Sequence, residues 1–426
     1  MLYLRPSRQC VQRTRGIATF GALCATLLAL CLSAGCAVAQ NVPVRIPGPG
    51  EPPISEEALS PAHETPSSTW APSSQPTLQP SVPPTVVLIL PSDQTPYVKA
   101  AEAVRAGLMA AHQAMGMKVV IKELPIDERP ESLNAALAQA RDLRAAAIVG
   151  PLTRTQVNHA VETGRAGAAP AIPMLALNYP DWQGSLPPNM LAFGLAIEHE
   201  AKQLVGSVLA DLDAAGEATT ALKPRFLVIG GQGSLSKRAA AAFAQALKEG
   251  GERATVVTPT LDRIGLDVLA EEVARGGYVA AFLALDAKEA MVVRARLPAS
   301  LALFATSQVN VGGKHALLTA NELEGVRFAD MPWLLEPDHA AVMVYTKPQE
   351  AWSPELQRLY ALGIDAYRLS LLWMAGQTQF ELDGVTGTLR VGHHSPSTVE
   401  RIPAIGIFRK GLVLRHNPAR PMPAVS

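Results

Sequence analysis

The sequence predicts an α/β protein with two doubly wound, Rossmann-like lobes over a central cleft, set behind an export segment and a proline-rich linker. Three observations predict it. Short β-branched apolar runs alternate with helical patterns through most of the chain, the rhythm of βαβ units and parallel sheets. The rhythm pauses and starts afresh near residue 226, so two halves share one plan. Twelve prolines crowd into residues 40–85, ahead of the first such run.

The N-terminal segment 1–39 stands apart. Arg5, Arg8, Arg13 and Arg15 precede an uncharged apolar run over 17–35, and no acid occurs before Glu51. A basic start, an apolar stretch and small residues after it describe an export signal. Three readings of its fate are open. Leu32-Ser33-Ala34-Gly35-Cys36 resembles a bacterial lipobox with Ser33 where leucine is usual, which would make Cys36 a lipidated mature N-terminus. Ala37-Val38-Ala39 fits ordinary cleavage before Gln40, and the apolar run is nearly long enough to remain as a membrane anchor. Each of these readings puts the body outside the cytoplasm.

Composition narrows the function. The chain has 48% apolar and 17% charged residues, with 37 basic against 37 acidic side chains. Such a chain can bury a core, and it has no basic excess to neutralise phosphates, which argues against a general nucleic-acid binder. Without the four leader arginines, 33 basic residues face 37 acidic ones, a balance of −4. Cys10, Cys24, Cys31 and Cys36 all lie in the leader. The expected body therefore has no disulfide, cysteine–metal site or cysteine nucleophile.

Residues 40–85 read as a disordered spacer, because proline fixes φ and removes backbone donors. Fully extended it would reach roughly 140 Å; as a flexible coil it would average roughly 40 Å. The body then opens at Val86-Val87-Leu88-Ile89-Leu90, an unbroken apolar run expected of a strand buried on both faces. Pro91-Ser92-Asp93-Gln94-Thr95-Pro96 ends it. Val98, Ala101, Val104, Leu108 and Ala111 follow at helical spacing. Strands are expected at 118–124, 145–149 and 172–177, with helices at 133–143 and from about 153 to 164. In the second half, strands are expected at 226–229, 254–257, 279–285 and 301–306, with helices at 234–249, 266–275 and 287–296. A long helix at 354–375 and turns at Asp383-Gly384 and Thr386-Gly387 between short strands close the chain.

Catalytic signatures are weak. Ser234-Leu235-Ser236-Lys237 fits S-x-x-K, the serine acyl-enzyme motif, but S-D-N and K-T-G are absent. Gly231-Gln232-Gly233 follows a strand, yet Ser236 stands where a dinucleotide fingerprint has its third glycine. No P-loop, H-E-x-x-H or G-x-S-x-G occurs. His393-His394 sits among turn residues, where a solvated loop outweighs a metal site. No catalytic residue, cofactor or metal is assigned.

The informative positions are strand ends, since open α/β sheets bind ligands beyond the carboxyl ends of their strands. Ser92, Thr95, Thr153, Asn178, Tyr179, Gln232, Ser234, Asp286, Ser307 and Gln308 occupy such positions and form the candidate cleft. For each of them, plain helix capping is the competing reading. Asp286 and Tyr179 are the candidates for holding an ammonium group.

Several blocks point to a family. They are Val86–Pro91 with the following helix, Ala147-Ile148-Val149-Gly150-Pro151-Leu152, Leu175-Ala176-Leu177-Asn178, Phe193-Gly194-Leu195 with Glu198 and Glu200-Ala201, and Ala305-Thr306-Ser307-Gln308. More specific are Leu323-Glu324-Gly325-Val326-Arg327-Phe328-Ala329-Asp330-Met331-Pro332-Trp333-Leu334-Leu335 and Arg358-Leu359-Tyr360-Ala361-Leu362-Gly363-Ile364-Asp365-Ala366-Tyr367. Leu382-Asp383-Gly384-Val385-Thr386-Gly387 completes the set. With them the body resembles the penicillin-binding protein activator family (LpoA/LppC-like lipoproteins), whose C-terminal domain looks like a periplasmic binding protein of type I.

The resemblance implies a periplasmic-binding-like domain over 86–418, with three segments crossing between its lobes. Lobe one would hold 86–196 and 326–378; lobe two would hold 197–325 and 379–418. It implies a non-enzymatic outer-membrane lipoprotein, facing the periplasm, that activates a class A penicillin-binding protein in peptidoglycan synthesis. Family members with that role carry a large helical-repeat domain ahead of this one, where here the 46 linker residues stand. The alternative is a solute-binding protein of an ABC transporter, taking an amino-acid-like ligand in the cleft.

Overall fold

In a computed structural model, residues 82–169, 171–182, 184–214, 225–348, 352–393 and 395–417 are described. The leader, Cys36 and almost all of the expected linker lie outside them. Among the described residues, no helix is long and apolar enough to cross a membrane.

The first lobe is built from β1 (Thr85–Pro91), α1 (Val98–Met115), β2 (Val120–Ile126), α2 (Pro130–Asp142), β3 (Ala147–Val149), α3 (Arg154–Arg165), β4 (Met174–Ala176) and β5 (Met190–Ala192). The five strands are parallel, in the order β2-β1-β3-β4-β5. β1 is covered on both sides, as its unbroken apolar run requires. Val86, Leu88 and Leu90 pack with α1, while Val87 and Ile89 pack with α2 and α3.

The second lobe follows as α4 (Ile197–Ala214), β6 (Arg225–Gly230), α5 (Ser234–Glu249), β7 (Arg253–Val257), α6 (Arg263–Gly276), β8 (Ala280–Ala284), α7 (Ala287–Arg294), β9 (Ala302–Ala305), α8 (Ala316–Glu322) and β10 (Arg327–Asp330). The chain then returns through α9 (Pro332–Leu335), α10 (Ala340–Met343) and α11 (Pro354–Met374). It ends in β11 (Phe380–Asp383), β12 (Thr388–Val391), β13 (Glu400–Ile402), β14 (Ala404–Arg409) and β15 (Leu412–Arg415). The second sheet has seven strands, in the order β15-β14-β10-β9-β8-β6-β7. α4 and α5 cover one face, and α6, α7 and α8 the other.

Helix ends follow ordinary capping chemistry. Gly116 ends α1 in the left-handed region at φ 58°, its amide donating to the His112 carbonyl. Ser353 caps α11 and Pro354 occupies its first turn. α1 and α11 cross with their backbones in close approach at two glycines. A Cβ on Gly107 would meet the Tyr360 carbonyl, and one on Gly363 would meet the Val104 carbonyl.

Three boundaries differ from expectation. α4 was not anticipated at all, although Ile197, Ala201, Leu204, Val208 and Leu212 keep helical spacing. β10 belongs to the second sheet, where it pairs with β9 and β14, so the chain crosses back after Asp330 and not at 326. Residues 379–402 are not part of lobe two. β11, β12 and β13 form a small antiparallel sheet whose Leu389 and Val391 join Val385 and Val399 in the first lobe's core. Residues 397–399 also hydrogen-bond to Ala192 at the β5 edge. Only β14 and β15 extend the second sheet.

Candidate functional site

The chain passes between the lobes three times: at 193–196 before α4, at Met331 after β10, and at Pro403 between β13 and β14. Beside these crossings lies a cleft of about 420 Å³ lined from both lobes. Of the ten candidate positions, Asn178, Ser307 and Gln308 line it. A smaller cavity of about 270 Å³ sits in the second lobe, against the N-terminal turns of α5 and α7; Ser234, Asp286 and Gln308 line that one. Ser92, Thr95, Thr153, Tyr179 and Gln232 line neither.

Local bonding explains where the others went. The Thr95 hydroxyl donates to the Ser92 carbonyl at 2.8 Å, closing the turn after β1. Thr153 caps α3 by accepting from the Gln156 amide. Asn178 is tied to its own loop, its Nδ2 donating to the Leu152 carbonyl and its Oδ1 accepting from the Tyr179 amide. Tyr179 is a structural residue and not an ammonium partner. Its hydroxyl donates to the Val399 carbonyl at 3.1 Å, its ring lies 4.0 Å from that of His199, and burial pushes its pKa up to about 12. Asp286 is exposed and forms a capping box with Glu289 at the start of α7. Ser234 lies in the first turn of α5, where Gly233 occupies the cap position without a side-chain hydrogen bond.

The charge in the cleft comes from residues that sequence reasoning did not nominate. Arg358 on α11 grips Asp330 at the end of β10, its Nε donating to Oδ1 at 3.0 Å and its Nη2 to Oδ2 at 2.7 Å. The same Nη2 donates to the carbonyls of Ser307 and Asn310. Arg401 on β13 lies 3.6 Å from Glu200 on α4 and donates to the Thr386 carbonyl. Ser307 gives both its amide and its hydroxyl to Glu200. Burial pushes the Glu200 carboxyl above its ordinary range, while Arg401 and the Ser307 amide pull it back. At the rim, Arg154 pairs with Asp181 at 2.8 Å and Arg238 with Glu198 at 3.3 Å. Every arginine lining this cleft thus has an acid of the same chain beside it.

Comparison with known proteins places the molecule. The model of the family described as "LppC putative lipoprotein" matches residues 64–258 and 247–402, well over half the chain. The chain belongs to the LppC family. A curated relative, "Penicillin-binding protein activator LpoA" of Yersinia pseudotuberculosis serotype O:1b, is 26% identical over 342 residues, 68% of this chain and 48% of that protein. The protein of the same name from Klebsiella pneumoniae is 28% identical over 293 residues, 62% of this chain and 40% of its own length. The chain spans about half the length of the curated relatives it matches.

Among solved structures, the "LpoA (YraM) C-domain from Haemophilus influenzae, a regulator of PBP1A" superposes with a TM-score of 0.64 at 19% identity, over 78% of this chain and all of that one. A chain described as a "putative branched-chain amino acid ABC transporter" from Chromobacterium violaceum is 31% identical, with a TM-score of 0.61 over 76% of this chain and 99% of that one. These likenesses fix the fold as that of the LpoA C-domain and of type I periplasmic binding proteins.

Several of the sequence blocks that carried the LppC resemblance supply residues of the cleft wall, and three of them also meet at one buried place beside it. Asp365, fully buried in α11, accepts from the amides of Val385 and Thr386 and from the Thr386 hydroxyl at 2.7 Å, and Arg368 donates to it at 3.1 Å. The Trp333 amide donates to the Val385 carbonyl. Met-Pro-Trp, Leu-Gly-Ile-Asp-Ala and Asp-Gly-Val-Thr-Gly therefore meet around a single turn. Their shared role is to lock the small antiparallel sheet onto α11.

Proposed function

We propose that this chain is a non-enzymatic regulator that activates a class A penicillin-binding protein through a protein surface. Membership of the LppC family and the name shared by the curated relatives support this reading. One observation of the site carries it. The two buried cleft arginines, Arg358 and Arg401, are each neutralised from within the chain, so neither is held in reserve for an anionic ligand, and Arg154 and Arg238 at the rim also stand beside acids of the chain. In this reading Cys36 bears a lipid in the outer membrane, and residues 40–85 carry the body inward. Purified full-length chain should co-precipitate with a class A synthase and raise its glycan-polymerisation rate. Absence of both binding and rate change sinks the proposal. Mass spectrometry of the mature N-terminus tests the anchor: a lipid-modified Cys36 supports it, and a start at Gln40 removes it.

A second reading, a binder of an amino-acid-like solute, is favoured by the likeness to the Chromobacterium violaceum chain. It would use the smaller cavity, where the first turn of α5 faces Asp286 and Glu289. Thermal-shift screening separates the two, since a ligand at 100 times its Kd stabilises by about 2.7 kcal/mol. Silence across amino acids, amides and muropeptides leaves the first reading standing alone.

A further inference from the structure

We propose that Glu200–Arg401 and Asp330–Arg358 act together as a latch that holds the two lobes at one fixed angle. Three placements carry this. First, both pairs bridge the lobes with the same polarity: the acids stand on α4 and β10 of the second lobe, the arginines on β13 and α11 of the first. Second, three of the four charges sit at the crossings themselves. Glu200 lies in the first turn of α4, Asp330 immediately precedes Met331, and Arg401 stands two residues before Pro403. Third, Ser307 couples the pairs, because its amide and hydroxyl donate to Glu200 while its carbonyl accepts from Arg358. One pair cannot be pulled apart without disturbing the hydrogen bonds of the other.

The energetics favour a single arrangement. Asp330 is 1% exposed and Arg401 is 4% exposed, so the charges have given up most of their water and depend on one another. Removing one partner of such a buried pair leaves an uncompensated charge, which is strongly destabilising. A lobe rotation about the crossings would strand two acids on one side and two guanidinium groups on the other. Binding proteins that swing shut on a solute need the opposite, a hinge soft enough for a ligand to bias. This inference does not depend on the identity of any partner.

The test is a distance measurement in the full chain. With the four leader cysteines changed to serine, spin labels on Thr155→Cys and Ala241→Cys report from exposed positions on α3 and α5, one on each lobe. The parent is expected to give one narrow distance population, unchanged by amino acids in the buffer. Glu200→Gln and Asp330→Asn each neutralise one acid of the latch with little change of shape, and each is expected to add a second, longer population while the chain still melts cooperatively. If one of the two does not fold, the other and the parent decide the matter. Two populations in the parent, or an unaltered single one in the folded variants, overturns the latch.

Discussion

Asp365 shows how much one buried side chain can organise. It satisfies two amides and a hydroxyl of the 385–386 turn, and its pKa is pushed up by burial and brought back by Arg368 and Thr386. Asp365→Ala should cost about 3–5 kcal/mol, the range for breaking a buried charge cluster from one side, and Thr386→Val about 1–3 kcal/mol. Denaturant midpoints check both; an Asp365→Ala chain as stable as its parent would refute the role. His199 makes a pH prediction. Burial, followed by the charge of Lys202, lowers its pKa from 6.5 to about 4. Between those values the unfolded chain binds more protons, so the stability from this group is whole above pH 6.5 and drains away as pH falls towards 4. The swing is on the order of 3 kcal/mol. In melts from pH 7 to pH 4, His199→Gln should lose less stability than the parent by that amount, and parallel curves would contradict it. Residues of this kind were poorly legible in the sequence. Thr153 and Asp286 are caps, which their position beside a helix start made readable. The Glu200–Arg401 and Asp330–Arg358 pairs join residues far apart in the chain, and such pairing leaves no local mark.

At the scale of elements, the crossing of α1 on α11 depends on the missing side chains of Gly107 and Gly363. Gly363→Ala should destabilise by about 1–3 kcal/mol despite alanine's better helix propensity, because the new methyl would collide with the Val104 carbonyl. Gly206 in α4 is the control: nothing stands within 4 Å of its Cβ position, so Gly206→Ala should stabilise by up to about 1 kcal/mol. Thermal melts of the two variants should move in opposite directions; equal shifts would mean the crossing is not tight. Elements with a strong period were readable. β1 announced itself by Val86-Val87-Leu88-Ile89-Leu90, and α5 spans 234–249 as its pattern foretold. β3, β4 and β5 have three residues each, too few for alternation to speak, and β5 went unseen. α4 escaped because its apolar stripe directly follows the apolar stretch 190–195, which blurs where one period stops and the next begins.

For the whole molecule, two α/β halves were legible, because repetition of a rhythm survives local errors; the three crossings were implied by the family resemblance and not by the rhythm. The allocation of the C-terminal segment was not. Residues 380–402 pack on the first lobe and 404–415 on the second, a division made by tertiary burial at Val385, Leu389 and Val391 and not by any change in composition. The proposed tether also belongs at this scale. A coil of that length averages roughly 40 Å, so a chain lacking 45–75 should bind purified synthase as the full chain does, yet fail to stimulate it from the outer membrane. Stimulation in cells by the shortened chain would remove the spacer from the mechanism. The bridging charges also constrain engineering. Because both acids of the two bridging pairs are supplied by one half and both arginines by the other, a chimera that grafts one half onto a distant cousin must carry over the matching signs, or four like or orphaned charges will face each other in the dry seam.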